Sequence, residues 1–254
     1  MSSMTETSPV DVAGPNDALP IVFIHGATAT RKMWQPQMEA LAHEFRVIAI
    51  DLPGHGVLFK KPFRLEAAVQ DVAFAIDKET RGQALIVGLS LGGYVAMAFA
   101  QRYPEKTKGL ILSGCSVNYP LWMTLAAKVN SQFLIKVYGE RAFVRMLELT
   151  FGWMFPHVTM TQITAGFHPD AWGDAMLEIG RQNFSARLRS FPGPVMVLNG
   201  EYDTLNRASE RAFAAATRNG RLQIIRRAGH ICNLDQPEVF NKAVRNFARS
   251  LDQS

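Results

Sequence analysis

The chain has 254 residues, of which 48% are hydrophobic and 19% are charged. This composition supplies enough apolar side chains for a sizeable core and too little charge for a disordered chain. The formal net charge is +5, and no block combines strong basicity with aromatic residues, so a nucleic-acid surface is excluded. Two cysteines rule out a disulfide framework, and residues 1–20 contain no apolar signal-peptide core, so a reducing cytoplasm is the expected location.

Short apolar runs recur along the chain and end in Gly, Pro or polar turns. Runs of four or five such residues are typical of strands that are buried on both faces of a sheet. Six strands are predicted in this way: Ile21–Ile24, Arg46–Ile50, Ala84–Val87, Leu110–Leu112, Val195–Leu198 and Leu222–Ile225.

Helical stretches lie between most of these strands. The alternation implies right-handed βαβ units and therefore a parallel sheet that is covered by helices. The uncharged stretch 82–101 is long enough for a membrane span, but its glycine-rich centre favours a strand and a helix joined by a turn, so no membrane span is expected. The predicted helices are Met38–Phe45, Leu65–Thr80, Gly92–Tyr103, Arg207–Arg218 and Pro237–Leu251.

Two segments depart from this alternation. Residues 1–18 are rich in Ser, Thr, Pro and Gly, and they are predicted to form a mobile N-terminal segment. Residues 117–190 contain no clean strand but hold 11 of the 25 aromatic residues, which predicts a helical cap inserted into a core of residues 19–116 and 191–254. Because a cap of this size has a poor surface-to-volume ratio, we expect it to dock on the carboxyl edge of the sheet and leave an apolar cleft beneath it.

The sequence Gly88-Leu89-Ser90-Leu91-Gly92 joins a predicted strand to a predicted helix. The pattern alone is weak, and its context gives it weight. A sharp strand-to-helix turn exposes a serine oxygen, and the amino end of the following helix favours the negative charge that develops on an attacked carbonyl group. Ser90 is therefore predicted as a nucleophile. The alternative is a turn whose serine only caps the helix.

A serine hydroxyl needs a base to take its proton. Of the six histidines, only His230 follows a predicted strand downstream of Ser90, so it is predicted as the base rather than as a structural loop residue. Asp203, just after the strand that ends at Leu198, is predicted as the carboxylate that fixes the imidazole tautomer. Glu201 is the competing acid.

The negative charge on a tetrahedral intermediate needs two donors that are already in place. The amide of Leu91 directly follows the nucleophile, and the amide of Ala27, in the turn after the first predicted strand, is the predicted second donor. The alternative is that His25-Gly26 is only a turn after a strand. No metal-ligand spacing is visible, so neither a metal nor an organic cofactor is expected.

From Leu19 onward the chain resembles the α/β-hydrolase family, in its small branch with a helical cap. The order of Ser, Asp and His also fits this family. The resemblance implies an α/β fold with a mostly parallel sheet of about six to seven strands, flanked by helices and carrying a helical cap insertion. The motifs that carry it are His25-Gly26, Asp51-Leu52-Pro53-Gly54-His55-Gly56, Gly88 to Gly93, Gly200-Glu201-Tyr202-Asp203 and Gly229-His230.

Three features depart from the family pattern. Only 20 residues precede the first predicted strand, so one or both of the usual opening strands are short or absent. Val57-Leu58-Phe59 follow a turn after which a Ser is common, and this makes that side of the pocket more apolar. Leu205-Asn206-Arg207 replace a Pro that often follows the acid. None of these changes removes a member of the triad.

The expected activity is hydrolysis of a carboxylic ester, lactone or thioester through an acyl-enzyme. The aromatics and methionines of the cap indicate a small apolar or aromatic acyl substrate. Acyl transfer, hydrolysis of a C–C bond, and a ligand receptor that keeps the triad but turns over negligibly all remain open. The predicted pocket residues are Trp122, Phe143, Trp153 and Phe155.

Individual residues argue against two subclasses of this family. Enzymes that eliminate pyruvate in menaquinone synthesis resemble the chain, but they carry an Arg where Tyr94 stands, so this assignment is not favoured. Biotin-pathway esterases that act on acyl-carrier-protein esters also look similar, and Arg141 and Arg145 could meet an acidic carrier protein. Two solvated arginines on a helix that also holds Glu140 and Glu148 are the preferred interpretation, so an acyl carrier protein is possible as a partner but not favoured.

Overall fold

The computed structural model describes residues 8–154, 168–217 and 219–251. A seven-stranded sheet lies at its centre, in the order β1-β3-β2-β4-β5-β6-β7. β1 pairs antiparallel with β3, and every other pair in this order is parallel. The strands are β1 Val10–Ala13, β2 Pro20–Ile24, β3 Arg46–Ile50, β4 Ala84–Leu89, β5 Thr107–Ser113, β6 Val195–Gly200 and β7 Gly220–Ile225.

All six predicted strands are present, and the predicted fold class is confirmed. Strands β2 to β6 are almost wholly buried because helices cover both faces of the sheet, whereas β7 at the edge is exposed over most of its length. Along β2 the side chains alternate between the two faces, as the two-residue period of a strand requires: Val22 and Ile24 pack into one apolar core, and Ile21 and Phe23 into the other.

Strand β1 was not predicted from the sequence. Its four residues lie opposite β3, with Val10 facing Ile50 and Ala13 facing Val47. The prediction of a mobile segment over residues 1–18 is therefore wrong for this strand. Four half-buried residues with Asp11 between two valines give too short a pattern for a strand to be recognised. Of the two opening strands that are usual in the family, the structure therefore shows one, which is short, within the residues that it describes.

The helices of the core lie close to their predicted positions, with one exception. The predicted helix Arg207–Arg218 is divided, because a turn at 208–209 separates α8 from α9. The core helices are α1 Gln35–Leu41, α2 Leu65–Glu79, α3 Leu91–Arg102, α8 Thr204–Arg207, α9 Glu210–Ala215, α10 Cys232–Asp235 and α11 Pro237–Leu251, with short 3-10 turns at Arg31–Trp34, Gly56–Leu58 and Pro104–Lys106.

Four helices occupy the described residues between 117 and 190. They are α4 Leu121–Tyr138, α5 Glu140–Met154, α6 Ala171–Gly180 and α7 Phe184–Ser190. Helix α4 packs against α5 and α6, and α7 packs against α3 of the core. The N–H of His168, just before α6, donates to the carbonyl of Gly54 at 2.7 Å, which ties this region to the loop after β3.

The uncharged stretch that was considered as a membrane span forms β4 and α3. Across the ranges that the structure describes, no helix is long and apolar enough to cross a membrane.

Candidate active site

Ser90 is the single residue between β4 and α3. Its backbone has φ 51° and ψ −116°, a conformation that is strained for a residue with a Cβ and that is typical of a nucleophile at a strand-to-helix turn. The flanking glycines are required by space, because a Cβ at Gly88 would overlap the carbonyl of Gly92, and a Cβ at Gly92 would overlap the carbonyl of Ile24. Strand and helix therefore pack closely enough to present Ser90 at the edge of the sheet.

The backbone of Ser90 is fixed to the end of β5. Its N–H donates to the carbonyl of Ser113 at 2.8 Å, and its carbonyl accepts from the N–H groups of Gly93 and Tyr94 at 3.0 and 3.3 Å. The Ser90 hydroxyl makes no hydrogen bond to any residue that the structure describes, His230 included. Catalytic hydrogen bonds are often open in the absence of substrate.

Asp203 and His230 form a direct pair. Asp203 follows β6 and is 7% exposed, while His230 lies in the loop after β7, and His230 Nδ1 is 2.8 Å from Asp203 Oδ2. Burial raises the pKa of the Asp203 carboxyl, but hydrogen bonds from His230 and Asn206 together with the charge of His230 outweigh burial and hold that pKa below its ordinary value. An ionised carboxylate only accepts, so Nδ1 carries the proton of a neutral ring and Nε2 keeps a free lone pair.

The competing acid, Glu201, has a different contact. Its carboxylate accepts the N–H of Arg227 at 2.9 Å, where the backbone takes a left-handed φ of 56°. Two residues further on, the N–H of Gly229 donates to the carboxylate of Asp235 at 2.7 Å. Glu201 and Asp235 thus hold the loop that carries His230, and the imidazole itself contacts Asp203.

Gly114 joins this pair to the Ser90 turn. It follows Ser113, the residue that binds the Ser90 N–H, and has a φ of 60°. A Cβ at Gly114 would lie 2.7 Å from Cε1 of His230 and 3.5 Å from Oδ2 of Asp203, so the imidazole rests directly on this backbone. The backbone of Ser90 therefore contacts the last residue of β5, and the Asp203–His230 pair lies against the residue that follows it.

The loop after β2 passes beside the same turn. A Cβ at Gly26 would lie 3.4 Å from the Cβ of Ser90. Among the described residues, no acceptor is bound by the amide of Ala27 or by that of Leu91, the first residue of α3. Two N–H groups are therefore available near Ser90 for an oxygen that develops negative charge.

Thr28 holds this loop in shape. It has a left-handed φ of 63°, and its N–H donates to Nε2 of His55 at 3.1 Å. Its hydroxyl donates to the carbonyl of Ala27 at 2.6 Å. These contacts fix the peptide that follows Ala27, while the peptide that carries the Ala27 N–H is held by its Gly26 carbonyl, which bonds Nδ1 of His25 at 2.7 Å.

His25 and His55 are fully buried neutral imidazoles. In His25, Nδ1 bonds the Gly26 carbonyl at 2.7 Å and Nε2 accepts the Leu52 N–H at 3.0 Å. In His55, Nδ1 bonds the Pro53 carbonyl at 3.0 Å. Burial lowers the pKa of His25 to about 4 and the pKa of His55 to about 3. Both rings therefore serve as uncharged links between the loops after β2 and β3.

A buried ion pair reinforces the same two loops. Asp51 is almost fully buried and accepts the N–H groups of Arg31 and Val57 at 2.8 and 3.0 Å, while the Arg31 guanidinium pairs with its Oδ2. Arg31 also reaches Asp11 of β1 at 3.0 Å. Asp51 thus has a structural partner for each of its oxygens.

The predicted pocket residues have unequal outcomes. Trp122 is 70% exposed and Phe143 is 3% exposed. Phe155 and the side chain of Trp153 lie outside the described residues. Other aromatic rings pack on α3: the ring of Tyr94 lies 4.7 Å from that of Phe184 and 6.3 Å from that of Tyr119, centre to centre, and Tyr94 and Phe184 are buried in the apolar core.

Sequence reasoning assigned no role to Thr28 or Asn206. The left-handed φ of Thr28 leaves no signal in the residue type, since threonine rarely adopts it. Asn206 did leave a signal, because it stands in the segment that replaces the common Pro after the acid. Its amide contacts both oxygens of Asp203, at 3.1 and 3.0 Å.

No group of three or more His, Cys, Asp or Glu residues within the described ranges could hold a metal ion. Cys115 and Cys232 are free thiols, and burial raises the pKa of each, to about 12 for Cys232.

Comparison with known proteins extends these observations. The model of the alpha/beta hydrolase family matches residues 21–243. A thermophilic esterase from Thermogutta terrifontis has a similar structure, with a TM-score of 0.80 and 26% identity over 95% of this chain and 93% of that one.

Curated relatives carry several activities. A protein named as a 2-succinyl-6-hydroxy-2,4-cyclohexadiene-1-carboxylate synthase, from Bacillus subtilis, is 23% identical over 94% of this chain and 93% of its own. A pimeloyl-[acyl-carrier protein] methyl ester esterase from Neisseria meningitidis is 42% identical, but over 39% of this chain and 38% of its own.

Proposed function

Because the chain belongs to the alpha/beta hydrolase family and is an enzyme of that family, we propose that it cleaves a carboxylic ester, lactone or thioester with Ser90 as nucleophile. One observation carries this proposal: the buried carboxylate of Asp203 holds the Nδ1 side of His230 at 2.8 Å. That contact leaves Nε2 as a base, at the place in the fold where Ser90 occupies its strained turn.

Acylation begins with attack of Ser90 Oγ on the acyl carbon. His230 Nε2 takes the hydroxyl proton, and Asp203 stabilises the imidazolium that forms without itself taking the proton. The tetrahedral oxyanion accepts hydrogen bonds from the amides of Leu91 and Ala27. When the intermediate collapses, the bond to the leaving alkoxide or thiolate breaks and His230 returns the proton to it.

Deacylation repeats these steps with water. His230 removes a proton from the water as it attacks the Ser90 ester, and the same two amides hold the second oxyanion. Collapse breaks the bond to Ser90 Oγ, which regains its proton from His230. The products are a carboxylic acid and an alcohol or thiol.

The surroundings of Ser90 favour a small apolar or aromatic acyl group. Buried Tyr94 and Phe184 and half-buried Tyr119 lie where α3 meets the helices of residues 117–190. Apolar walls with a few fixed polar groups are typical of small-molecule sites. The substrate is therefore recognised mainly by shape and apolar contact.

Tyr94 argues against the synthase activity that is named for the Bacillus relative. Its hydroxyl donates to the carbonyl of Val117 at 2.8 Å, and its ring is buried. The hydroxyl is thus committed to the chain, and a neutral phenol offers a substrate carboxylate no positive charge.

An ester carried on an acyl carrier protein is the second candidate for the substrate. The Neisseria relative favours it, and Arg141 and Arg145 are both exposed on α5. Because that relative matches over 39% of the chain, a free small-molecule ester stays the preferred substrate.

A fluorophosphonate probe followed by an ester panel tests the proposal. The probe is expected to label Ser90, and Ser90→Ala to remove both labelling and turnover of short and long p-nitrophenyl esters, lactones and thioesters. Ser190→Ala, at an exposed serine of α7, is the matched control and keeps both. Turnover that survives Ser90→Ala would refute the proposal.

The same panel separates the other activities of this fold. A receptor is labelled but releases only a few equivalents of product. An acyltransferase gains rate when a second alcohol or thiol is added and forms its ester, and a C–C hydrolase cleaves a diketone faster than any ester.

A further inference from the structure

A buried carboxamide lies against the carboxylate of Asp203. Asn206, in α8, is 1% exposed, and its Nδ2 lies 3.1 Å from Oδ1 and 3.0 Å from Oδ2 of Asp203. Its own Oδ1 accepts the N–H of Ser116 at 2.8 Å. The side chain therefore has a defined partner at each end.

The partner at Ser116 determines which way the amide faces. A backbone N–H can only donate, so the atom that it meets must be the oxygen of Asn206. The NH2 group then necessarily points at Asp203. The two ends together exclude the flipped amide, which would place an oxygen against a carboxylate.

A second buried amide holds the same loop without touching Asp203. Oδ1 of Asn199 accepts the N–H of Gly114 at 2.9 Å, and its Nδ2 donates to the carboxylate of Glu210 at 3.1 Å. Glu210 in turn pairs with Arg207 at 3.0 Å. Asn199 and Asn206 thus each accept one N–H group of residues 114–116, and of the two only Asn206 also contacts Asp203.

We propose that Asn206 is a positioning residue, whose amide keeps the Asp203 carboxylate ionised and aimed at His230 Nδ1. The proposal rests on the proposed function, since it assigns Asn206 its effect through the Asp–His pair. Two N–H contacts leave the carboxylate little freedom to rotate, so Oδ2 stays directed at the imidazole. Asn206 itself touches no reacting atom.

Several ionisable groups face Asp203 from the elements around it. The positive partner is His230, while burial first and the Asp203 charge second raise the pKa of Cys115 and Tyr119, which follow β5. Burial, with a smaller contribution from the Asp203 charge, also raises the pKa of Cys232 in α10. These three groups stay neutral. With the carboxylate desolvated, its ionised form depends on His230 and the Asn206 amide, so removing the amide raises the pKa of Asp203.

The test is the pH profile of kcat/KM for the whole enzyme on an ester that the wild type hydrolyses. Asn206→Leu keeps the volume and removes the amide. The acid limb reports protonation of the coupled Asp203–His230 pair, and without the two N–H contacts from Asn206 this pair holds its proton more tightly. The acid limb is therefore expected to move upward by about 1 pH unit and kcat to fall about tenfold, with KM little changed. Asn241→Leu is the matched control: it removes a buried amide of α11 that donates to the carbonyl of Pro36 at 3.4 Å and contacts neither Asp203 nor His230, and its acid limb stays at the wild-type pH.

Asn206→Asp is the second variant. One oxygen can still accept the Ser116 N–H, but a second carboxylate now faces Asp203 in place of the donors. Its acid limb is expected to lie higher than that of Asn206→Leu. This variant keeps the test open if Asn206→Leu fails to fold, which thermal melting of all three variants will show.

Equal acid limbs for the wild type and both Asn206 variants would overturn the proposal and reduce Asn206 to a structural residue. A readout that is independent of turnover separates this result from failure of the proposed function. The low-field proton resonance of His230 Nδ1 is expected to move in Asn206→Leu and to stay in Asn241→Leu. If Ser90→Ala keeps ester turnover, the proposed function fails. The resonance then still reports whether Asn206 positions the Asp203 carboxylate against His230.

Discussion

The Nε2 atom of His55 accepts the backbone N–H of Thr28 at 3.1 Å. This contact is possible only while the imidazole is neutral, because a protonated ring has no acceptor. A fully buried histidine thus holds the loop that presents the Ala27 amide, and its charge state becomes part of the stability of the site.

We predict that the protein loses stability as the pH falls from 6.5 toward 4. Unfolded histidine takes a proton below pH 6.5, whereas in the folded chain the pKa is about 4 for His25 and about 3 for His55. The unfolded state therefore binds more protons throughout this window. Linkage predicts that the free energy of unfolding falls by about 2 kcal/mol between pH 6 and 5, which urea denaturation at a series of pH values will measure.

Two variants identify the groups that make the free energy of unfolding depend on pH in this window. His55→Gln retains an acceptor near Thr28 and cannot be protonated, so it is expected to remove about half of the slope. His43→Gln changes an exposed histidine and is expected to keep the slope. A His55→Gln slope equal to that of the wild type would show that acid destabilisation comes from other groups.

A second prediction separates the two acids after β6. Asp203→Asn is expected to lower kcat by about a thousandfold or more, because the amide favours the wrong imidazole tautomer. Glu201→Gln is expected to change kcat by less than about tenfold and to act mainly on stability, since its partner is the Arg227 N–H. Steady-state kinetics and thermal melting of both variants check this, and a greater kcat loss in Glu201→Gln would reverse the assignment.

The sequence predicted those elements best whose burial leaves a local pattern of apolar residues. β4 and β6 are buried throughout, so each gives an unbroken apolar run. Helix α11, with one apolar face, was predicted with its observed bounds. β1 was missed because its stability comes from pairing with β3, whose paired residues lie 34 to 40 positions further along the sequence, and the local pattern carries no trace of such pairing.

The candidate site divides in the same way. Close packing allows only glycine on either side of Ser90, so the turn can be recognised from its residue types. The hold of Asn206 on Asp203 depends on an amide that is oriented by a loop N–H 90 residues earlier, at Ser116. Residue type alone cannot show such a contact, and neither can it show that Glu201 binds Arg227.

The third prediction concerns the buried ion pair of Arg31 and Asp51. Arg31→Met is expected to lower the free energy of unfolding by about 3 kcal/mol, because it leaves the Asp51 charge buried with fewer partners. Arg249→Met, which breaks a more exposed pair with Glu44, is expected to cost less than about 1 kcal/mol. Denaturant unfolding of the two variants compares them, and equal losses would show that burial of the Arg31 pair adds nothing.

The fourth prediction tests the space around the serine turn. No left-handed φ is required at Gly92, yet a Cβ there would overlap the carbonyl of Ile24. Gly139 is the reverse case, with a φ of 83° and nothing within 4 Å of an added Cβ.

Gly139→Ala is therefore expected to cost about 1 kcal/mol through backbone strain alone and to leave ester turnover near that of the wild type. Gly92→Ala must push α3 away from β2, which costs about 3 kcal/mol and displaces the Leu91 amide from its place beside Ser90. Its kcat is expected to fall by about a hundredfold, the order found when one oxyanion donor is lost. Full turnover in Gly92→Ala would mean that the helix can shift without disturbing the amide, and would remove the steric reason for glycine at this position.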